Sequence, residues 1–427
     1  MMKVALAIAL AGCGRLGFDE LVDDDSPDTD MITLVVRDYA LDPQSRGPPV
    51  PGATVLVDRG SGFERFVTDD QGIVQVPAPG VVALHAAFRF GPFWQIYTIV
   101  APPSGVIELG NRNVSTRDQR MIFTLPDTGV RGFDNAFRIE IPQSCAGQLW
   151  SMTPTLDIDY GSVCEGKAMR AIAYSWLPDG SKETYLDIGD VTLANGSTKE
   201  VSGMYAPVPS FDVEVSHVPE PIIQSGGWFD AALLARSDLG FTQLSTGHTV
   251  PHDMGDTTIL SVVAAPGGNT LKVEMIDFAH SSWSMRIAPV NAELPMTFDA
   301  RTLLTPFESL VLGHPTSVAW TGGTGEGTLI SVSARSGLVS WNAYVPPSVT
   351  AVSFPELPDD LAVPVLSSFE ATVLRLDIEG MTTAELVRTV DHMLVSESDD
   401  FTLFPVGDHG QAFIQGESEP PAVGDAF

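Results

Sequence analysis

The chain has 427 residues, 44% of them apolar, which is enough core-forming material for several folded domains and excludes a disordered polymer. Its 54 acidic residues against 23 Lys and Arg give a formal charge of −31, which excludes nucleic acid as a partner and disfavours binding to anionic headgroups, since both depend on clustered cations. With 39 Gly and 32 Pro, turns are frequent and long helices few, so the expected fold class is all-β: tandem β-sandwiches with few short helices.

Residues 1–12 have the form of an export signal. Lys3 precedes the apolar run VALAIAL, which is far too short to span a bilayer. The run ends in Leu10-Ala11-Gly12-Cys13, which resembles the lipobox of bacterial lipoproteins, where small residues precede a cysteine that is lipid-modified and becomes the mature N-terminus. The resemblance implies a membrane anchor on Cys13, because acyl chains contribute about 0.8 kcal/mol per buried methylene. Ala9-Leu10-Ala11 also fits an ordinary secretory cleavage site. Gly14 stands where an Asp would resemble an inner-membrane retention signal, so the expected address is the outer membrane, facing the periplasm or the cell surface.

Within residues 13–30, the stretch from Asp19 to Asp30 holds seven acidic side chains and no basic one. With too little apolar surface to offset ordering entropy, this segment reads as an extended, flexible tether. Residues 23–30 lack the glycine turn and closing Glu of an EF-hand loop.

From Met31 to about residue 120, short apolar runs alternate with turns, as in Thr54-Val55-Leu56-Val57 and Ile73-Val74-Gln75-Val76, joined through Asp69-Asp70-Gln71-Gly72. The stretch VPGATVLVDRGSGFERFVTDDQGIVQVPAPG is similar to the carboxypeptidase regulatory-like (prealbumin-like, Ig-like) domain, in its Pro-x-x-Gly-Ala-x-Val start and its Thr-Asp-x-x-Gly turn. That likeness implies a non-catalytic sandwich serving as spacer, stabiliser or binding surface, and it brings no active-site residues.

Residues 121–220 carry the same strand-and-turn grammar: AFRIEIP, TLDIDYG, MRAIAYSWLPDG and SFDVEVSHVP. Once Cys13 is assigned to lipid, Cys145 and Cys164 remain as an even pair in an exported chain, and a disulfide is expected, with two buried thiols as the alternative. Asp157 and Asp159 could begin a calcium loop, but they alternate with Ile158 and Tyr160 as strand-edge residues do. Leu125-Pro126-Asp127-Thr128-Gly129 matches a cell-wall sorting signal without the apolar span and basic tail that follow one, and reads as a turn. Pro219, Pro221 and Ser225-Gly226-Gly227 mark a boundary.

Residues 221–415 form a further β-rich region of one or two sandwiches. GHTVPHDMGD places His248 and His252 four apart beside Asp253 and Asp256. Pro251 obstructs a helix, so a divalent-cation site there would be a loop site, and the alternative is a polar surface loop. GGTGEGT at 322–328 lacks the Lys-Ser/Thr of a phosphate loop and reads as a flexible hairpin tip. Ser317 to Pro347 reads as two or three strands anchored by Trp320 and Trp341, with FPELPDDL as an edge segment. One helix is expected over Thr382–Leu394, capped by Thr383, with Leu386, Val387, Val390 and Leu394 as its apolar stripe. Residues 416–427 read as a frayed tail.

No G-x-S-x-G elbow and no H-E-x-x-H helix occurs, so no catalytic residues and no cofactor are assigned and the chain is not expected to be an enzyme. The expected function is that of a membrane-anchored envelope lipoprotein in adhesion, binding or envelope structure, with a cell-surface protein or polysaccharide as candidate partner. The alternatives are a carbohydrate-binding or polysaccharide-processing lipoprotein, with Trp94, Trp228 or Trp283 stacking on sugar rings, or a secreted hydrolase with an accessory β-module.

Overall fold

The computed structural model describes residues 30–38, 47–110, 119–127, 137–142, 145, 148–161, 164–176, 183–225, 227–237, 240–245, 255–277, 280–290, 296–313, 316–364, 366, 368–393 and 409–418. The signal, Cys13 and all of the tether before Asp30 lie outside them. Alternating burial ended by Gly and Pro turns produces short strands throughout, and the fold is an all-β array of sandwiches with two short helices among the described residues.

The first sandwich consists of β1 (Met31–Val36), β2 (Thr54–Asp58), β3 (Phe63–Val67), β4 (Ile73–Pro77), β5 (Ala83–Phe90), β6 (Phe93–Val100) and β7 (Gly105–Leu109). Strand β1 lies between β4, antiparallel, and β7, parallel, and this sheet faces the ribbon β3-β2-β5-β6. The second contains β8 (Gln119–Thr124), β9 (Phe137–Glu140), β10 (Gln148–Ser151), β11 (Thr155–Tyr160), β12 (Ala168–Trp176), β13 (Glu183–Thr192), β14 (Ser197–Glu200) and β15 (Ala206–Pro207). Here β8 is flanked by β11 and β14 in the same two senses, opposite β10-β9-β12-β13-β15.

The third repeats the plan with β16 (Ser210–Ser216), α1 (Glu220–Ser225), β17 (Trp228–Ser237), β18 (Gly240–Gln243), β19 (Thr257–Val263), β20 (Thr270–Asp277), β21 (Ser282–Pro289) and β22 (Met296–Asp299). Its first strand, β16, bonds to β19 and β22, so its partners lie beyond the Pro219–Gly227 stretch read as a boundary. The fourth contains β23 (Ser309–Gly313), β24 (Ser317–Thr321), β25 (Leu329–Ser336), β26 (Val339–Val345), β27 (Ala351–Ser353), β28 (Glu370–Ile378), α2 (Thr383–Met393) and β29 (His409–Glu417). The place beside its leading strand β24 that a later, parallel strand fills elsewhere is taken by β23, which precedes β24 and runs antiparallel to it.

The sandwiches are not strung like beads. Strand β21 pairs antiparallel with β29, and β26 pairs parallel with β6, so ribbons of the third, fourth and first sandwiches fuse into one twelve-stranded sheet. Strand β28 is accordingly buried on both faces. Its Leu374, Leu376 and Ile378 enter the core of the first sandwich, and Ala371 and Val373 enter that of the fourth. Each of the Leu, Ile and Val side chains among these contributes roughly 1.5–3 kcal/mol on full burial.

Trp320 and Trp341 are buried in the fourth core as expected, and Leu386 and Val387 of α2 close the first. The cap of α2 differs from expectation by one residue. Thr382 Oγ1 accepts from the Glu385 amide while the Glu385 carboxylate accepts from the Thr382 amide at 2.7 Å, a reciprocal capping box in which Thr383 has no part. Thr383 instead donates its hydroxyl to the Thr328 carbonyl.

Candidate functional site

Strand β9 alternates as FRIE does: Phe137 and Ile139 point into the core of the second sandwich, and Arg138 and Glu140 point to the other face. A polar face on a strand usually meets water. Here all four residues are buried, because the third sandwich covers that face and draws Ile172 and Tyr174 of β12 into its own core. Register places Tyr174 and Trp150 on either side of Arg138, with the guanidinium carbon 4.5 Å and 4.8 Å from the two ring centroids. Such stacking suits a weakly hydrated planar cation.

Two carboxylates converge on this one cation. Arg138 Nε lies 3.2 Å from Glu140 Oε1, and its Nη2 lies 3.7 Å from Glu183 Oε2. Burial, with the neighbouring Glu183 charge adding to it and Arg138 opposing, pushes the Glu140 carboxyl up to about 8. The cluster is tied to the third sandwich by backbone acceptors: Tyr174 donates its hydroxyl to the Leu244 carbonyl, and Arg138 donates to that of Ser245. Further along the same seam Arg170 bonds Asp187 at 2.9 Å and the Pro266 carbonyl at 3.1 Å. Gly267 (φ +97°) follows, in a backbone conformation that favours glycine, and a Cβ there would displace that guanidinium, coming within 2.4 Å of it.

A second buried cation, Arg375 of β28, lies under the loop 322–328. It donates to the carbonyls of Thr305 (2.8 Å) and Gly322, stacks 4.4 Å from the Phe307 ring centroid, and lies 3.7 Å from Glu326. Glu326 in turn accepts from the Thr305 amide and hydroxyl. GGTGEGT is therefore not a flexible hairpin tip. It is folded onto a fully buried guanidinium, toward which it turns the Gly322 carbonyl, whereas a phosphate cradle presents amide donors to an anion.

Among the remaining candidates, Cys145 and Cys164 form a disulfide within the second core, with Cα atoms 5.7 Å apart. His248, His252 and Asp253 lie outside the described residues, as does Cys13. Asp256 is described, with its carbonyl accepting from the Val218 amide, and no group of three or more His, Cys, Asp or Glu suited to a metal occurs among the described residues. Asp157 and Asp159 sit on the exposed face of β11, whose Leu156, Ile158 and Tyr160 are buried. Hydrogen bonding to Arg120 holds the Asp157 carboxyl below its usual range. Of the tryptophans considered for sugar stacking, Trp94 is buried beside Arg89, and Trp228 and Trp283 are half-buried, Trp283 edge-on against Phe413.

No protein-family model and no curated protein matches the chain. Among solved structures it is similar to the Bacillus anthracis TIE protein, at 12% identity over 63% of this chain and 49% of that one, with a TM-score of 0.15. It is also similar to the D1–D4 ectodomain fragment of ICAM-5, at 12% identity over 82% of this chain and 96% of that one, with a TM-score of 0.13. The chain spans about half the length of the first, and likenesses this slight carry no argument about either fold or function.

Proposed function

We propose that the chain is a non-catalytic envelope lipoprotein, held to the outer membrane by lipid on Cys13 and serving adhesion, binding or envelope structure through a stiff body of β-sandwiches. The observation that supports it most is the fusion of three sandwiches into one twelve-stranded sheet. A body whose units share a sheet resists bending at its joints, as a spacer or platform must. The buried cations Arg138 and Arg375 are both turned inward onto backbone carbonyls, and so serve joints and loops. The first sandwich takes the non-catalytic role implied by its carboxypeptidase regulatory-like stretch, and the acidic segment before Met31 holds the body away from the membrane.

Mass analysis of the mature N-terminus, with protease shaving of intact cells, tests the reading. The expected result is an acylated Cys13 and membrane-associated chain, with Cys13→Ser released to the soluble fraction. An unmodified N-terminus, or wild-type chain free in the medium, would overturn it.

A further inference from the structure

The twelve-stranded sheet ends in β18 on one side and in β3 on the other. The first end is closed: Phe241 and Thr242 of β18 are buried, and the Thr242 hydroxyl donates to the Arg170 carbonyl of the second sandwich. The second end is open. The Asp58 carbonyl of β2 accepts from Val82 on the β5 side, and the Thr68 amide, one residue past β3, donates to the Ala53 carbonyl. Alternation from those two bonds turns the amides and carbonyls of Phe63, Arg65 and Val67 away from β2, and none of these groups is hydrogen-bonded among the described residues. Phe63 and Val67 are 47% and 53% exposed, and β3 carries neither the proline nor the bulge that blunts an edge. Its charged side chains have partners already, Glu64 in Arg59 at 3.4 Å and Arg65 in Asp360 at 2.8 Å.

We propose that β3 takes up an extended peptide segment of a partner protein, alternating apolar with cationic residues, which joins the sheet as a further antiparallel strand. Main-chain bonds to Phe63, Arg65 and Val67 supply affinity, and the period of two sorts the partner's side chains between the faces. Residues opposite Phe63, Arg65 and Val67 lie on the face of those side chains, so apolar ones there cover Phe63 and Val67. Residues opposite Glu64 and Phe66 occupy the positions where side chains approach most closely, and a cation there meets a carboxylate and an aromatic ring. The surroundings favour the same sign: Asp58, Asp69, Asp70, Asp359 and Asp360 stand around the edge against Arg59 and Arg65. A second copy of the chain fits poorly. Pairing all five residues of β3 with those of another β3 sets Arg65 opposite Arg65, and two chains of charge −31 repel each other. The pairing needs no lipid, so it stands or falls independently of the anchor on Cys13.

Titration of the whole protein with the peptide Lys-Val-Lys-Val-Lys-Val-Lys, read by single-residue hydrogen exchange, tests this. At a peptide concentration about ten times its dissociation constant, exchange at the amides of Phe63, Arg65 and Val67 slows about tenfold, while the amides of β18 do not change. Two control peptides separate strand pairing from charge. Glu-Val-Glu-Val-Glu-Val-Glu has the wrong sign, Lys-Pro-Lys-Pro-Lys-Pro-Lys lacks the amides that would face β3, and neither protects the edge. Arg65→Pro removes an outward amide without touching the ladder to β2, and abolishes the protection of Phe63 and Val67. Should that variant fail to fold, Glu64→Lys provides the check, weakening binding about fivefold through like charges across the pair. No protection of β3 by the Lys-Val peptide, equal protection by either control, protection retained in a folded Arg65→Pro, unchanged affinity in Glu64→Lys, or a dimer paired through β3 without peptide would each overturn the proposal.

Discussion

Trp341 donates its indole N–H to the hydroxyl of Thr98, 3.0 Å away and 243 residues earlier in the chain. The bond lies across the parallel junction of β26 and β6, where the fourth sandwich meets the first. An indole can only donate, so Thr98 accepts, and its own proton remains for His85 Nδ1 at 3.0 Å. In the arrangement where Thr98 gives that proton, His85 is neutral and protonated on Nε2, in keeping with the lowering of its basicity by burial.

Thr98→Val keeps the shape of the junction but leaves two buried polar groups without their partner. It is expected to lower stability by about 1–3 kcal/mol in urea unfolding. Trp341→Phe removes the donor, and the double variant should cost less than the sum of the singles by at least about 0.5 kcal/mol. Strict additivity would show that the bond contributes nothing.

Burial lowers the His85 imidazole from 6.5 to about 4, with Asp58 partly opposing. The unfolded chain thus takes up a proton that the folded one refuses, and stability falls as pH drops from about 6.5 to about 4, by roughly 3 kcal/mol in total. In His85→Gln that share of the acid sensitivity should vanish. A variant whose unfolding midpoint keeps the wild-type pH dependence would refute the assignment.

The Cys145–Cys164 bridge closes a loop with a sequence separation of 19. The chain-entropy model gives it about 3 kcal/mol. Cys145→Ser with Cys164→Ser should reduce stability by that order, and reductant should abolish the difference from wild type. Equal midpoints before and after reduction would mean that the bridge does not form in solution.

Arg375→Lys tests the loop anchor. An ammonium group cannot span the carbonyls of both Thr305 and Gly322, nor stack on Phe307 as a planar cation does. The substitution should cost about 2–4 kcal/mol and open residues 322–328 to proteolysis. A loop as resistant as wild type would show that the glycine turns hold it unaided.

The fold class was legible because the core runs are short, alternating and punctuated. ITLVV, TVLVD and IVQVP lie where their pattern puts them, and Trp320 and Trp341 anchor as expected. The junctions were not legible. Strand pairing between β6 and β26 depends on the edges of two ribbons and leaves no local mark in either segment. FRIEIP reads as a strand with one wet face, and nothing within it announces that another sandwich will cover Arg138 and Glu140. Tyr174 and Trp150, large rings that both stand opposite Arg138, were the available signal, but reading them required the register. The glycines of 322–328 gave no hint of their partner, since Arg375 lies some fifty residues downstream. In α2 the Thr-x-x-Glu spacing of Thr382 and Glu385 was present in the sequence and identifies the cap more sharply than the neighbouring Thr383.

The parallel junction of β6 with β26 also sets an order of events. At about 5–20 residues per second of synthesis, the edge of the first sandwich waits roughly 10–50 s for its partner strand to exist. Throughout that interval it presents an open row of amides and carbonyls, a hazard for pairing with other chains. A chain cut short before Val339 would lack the strand that covers that edge, so synthesis past β26 is registered at the N-terminal end, and copies truncated earlier would be exposed to proteases and chaperones.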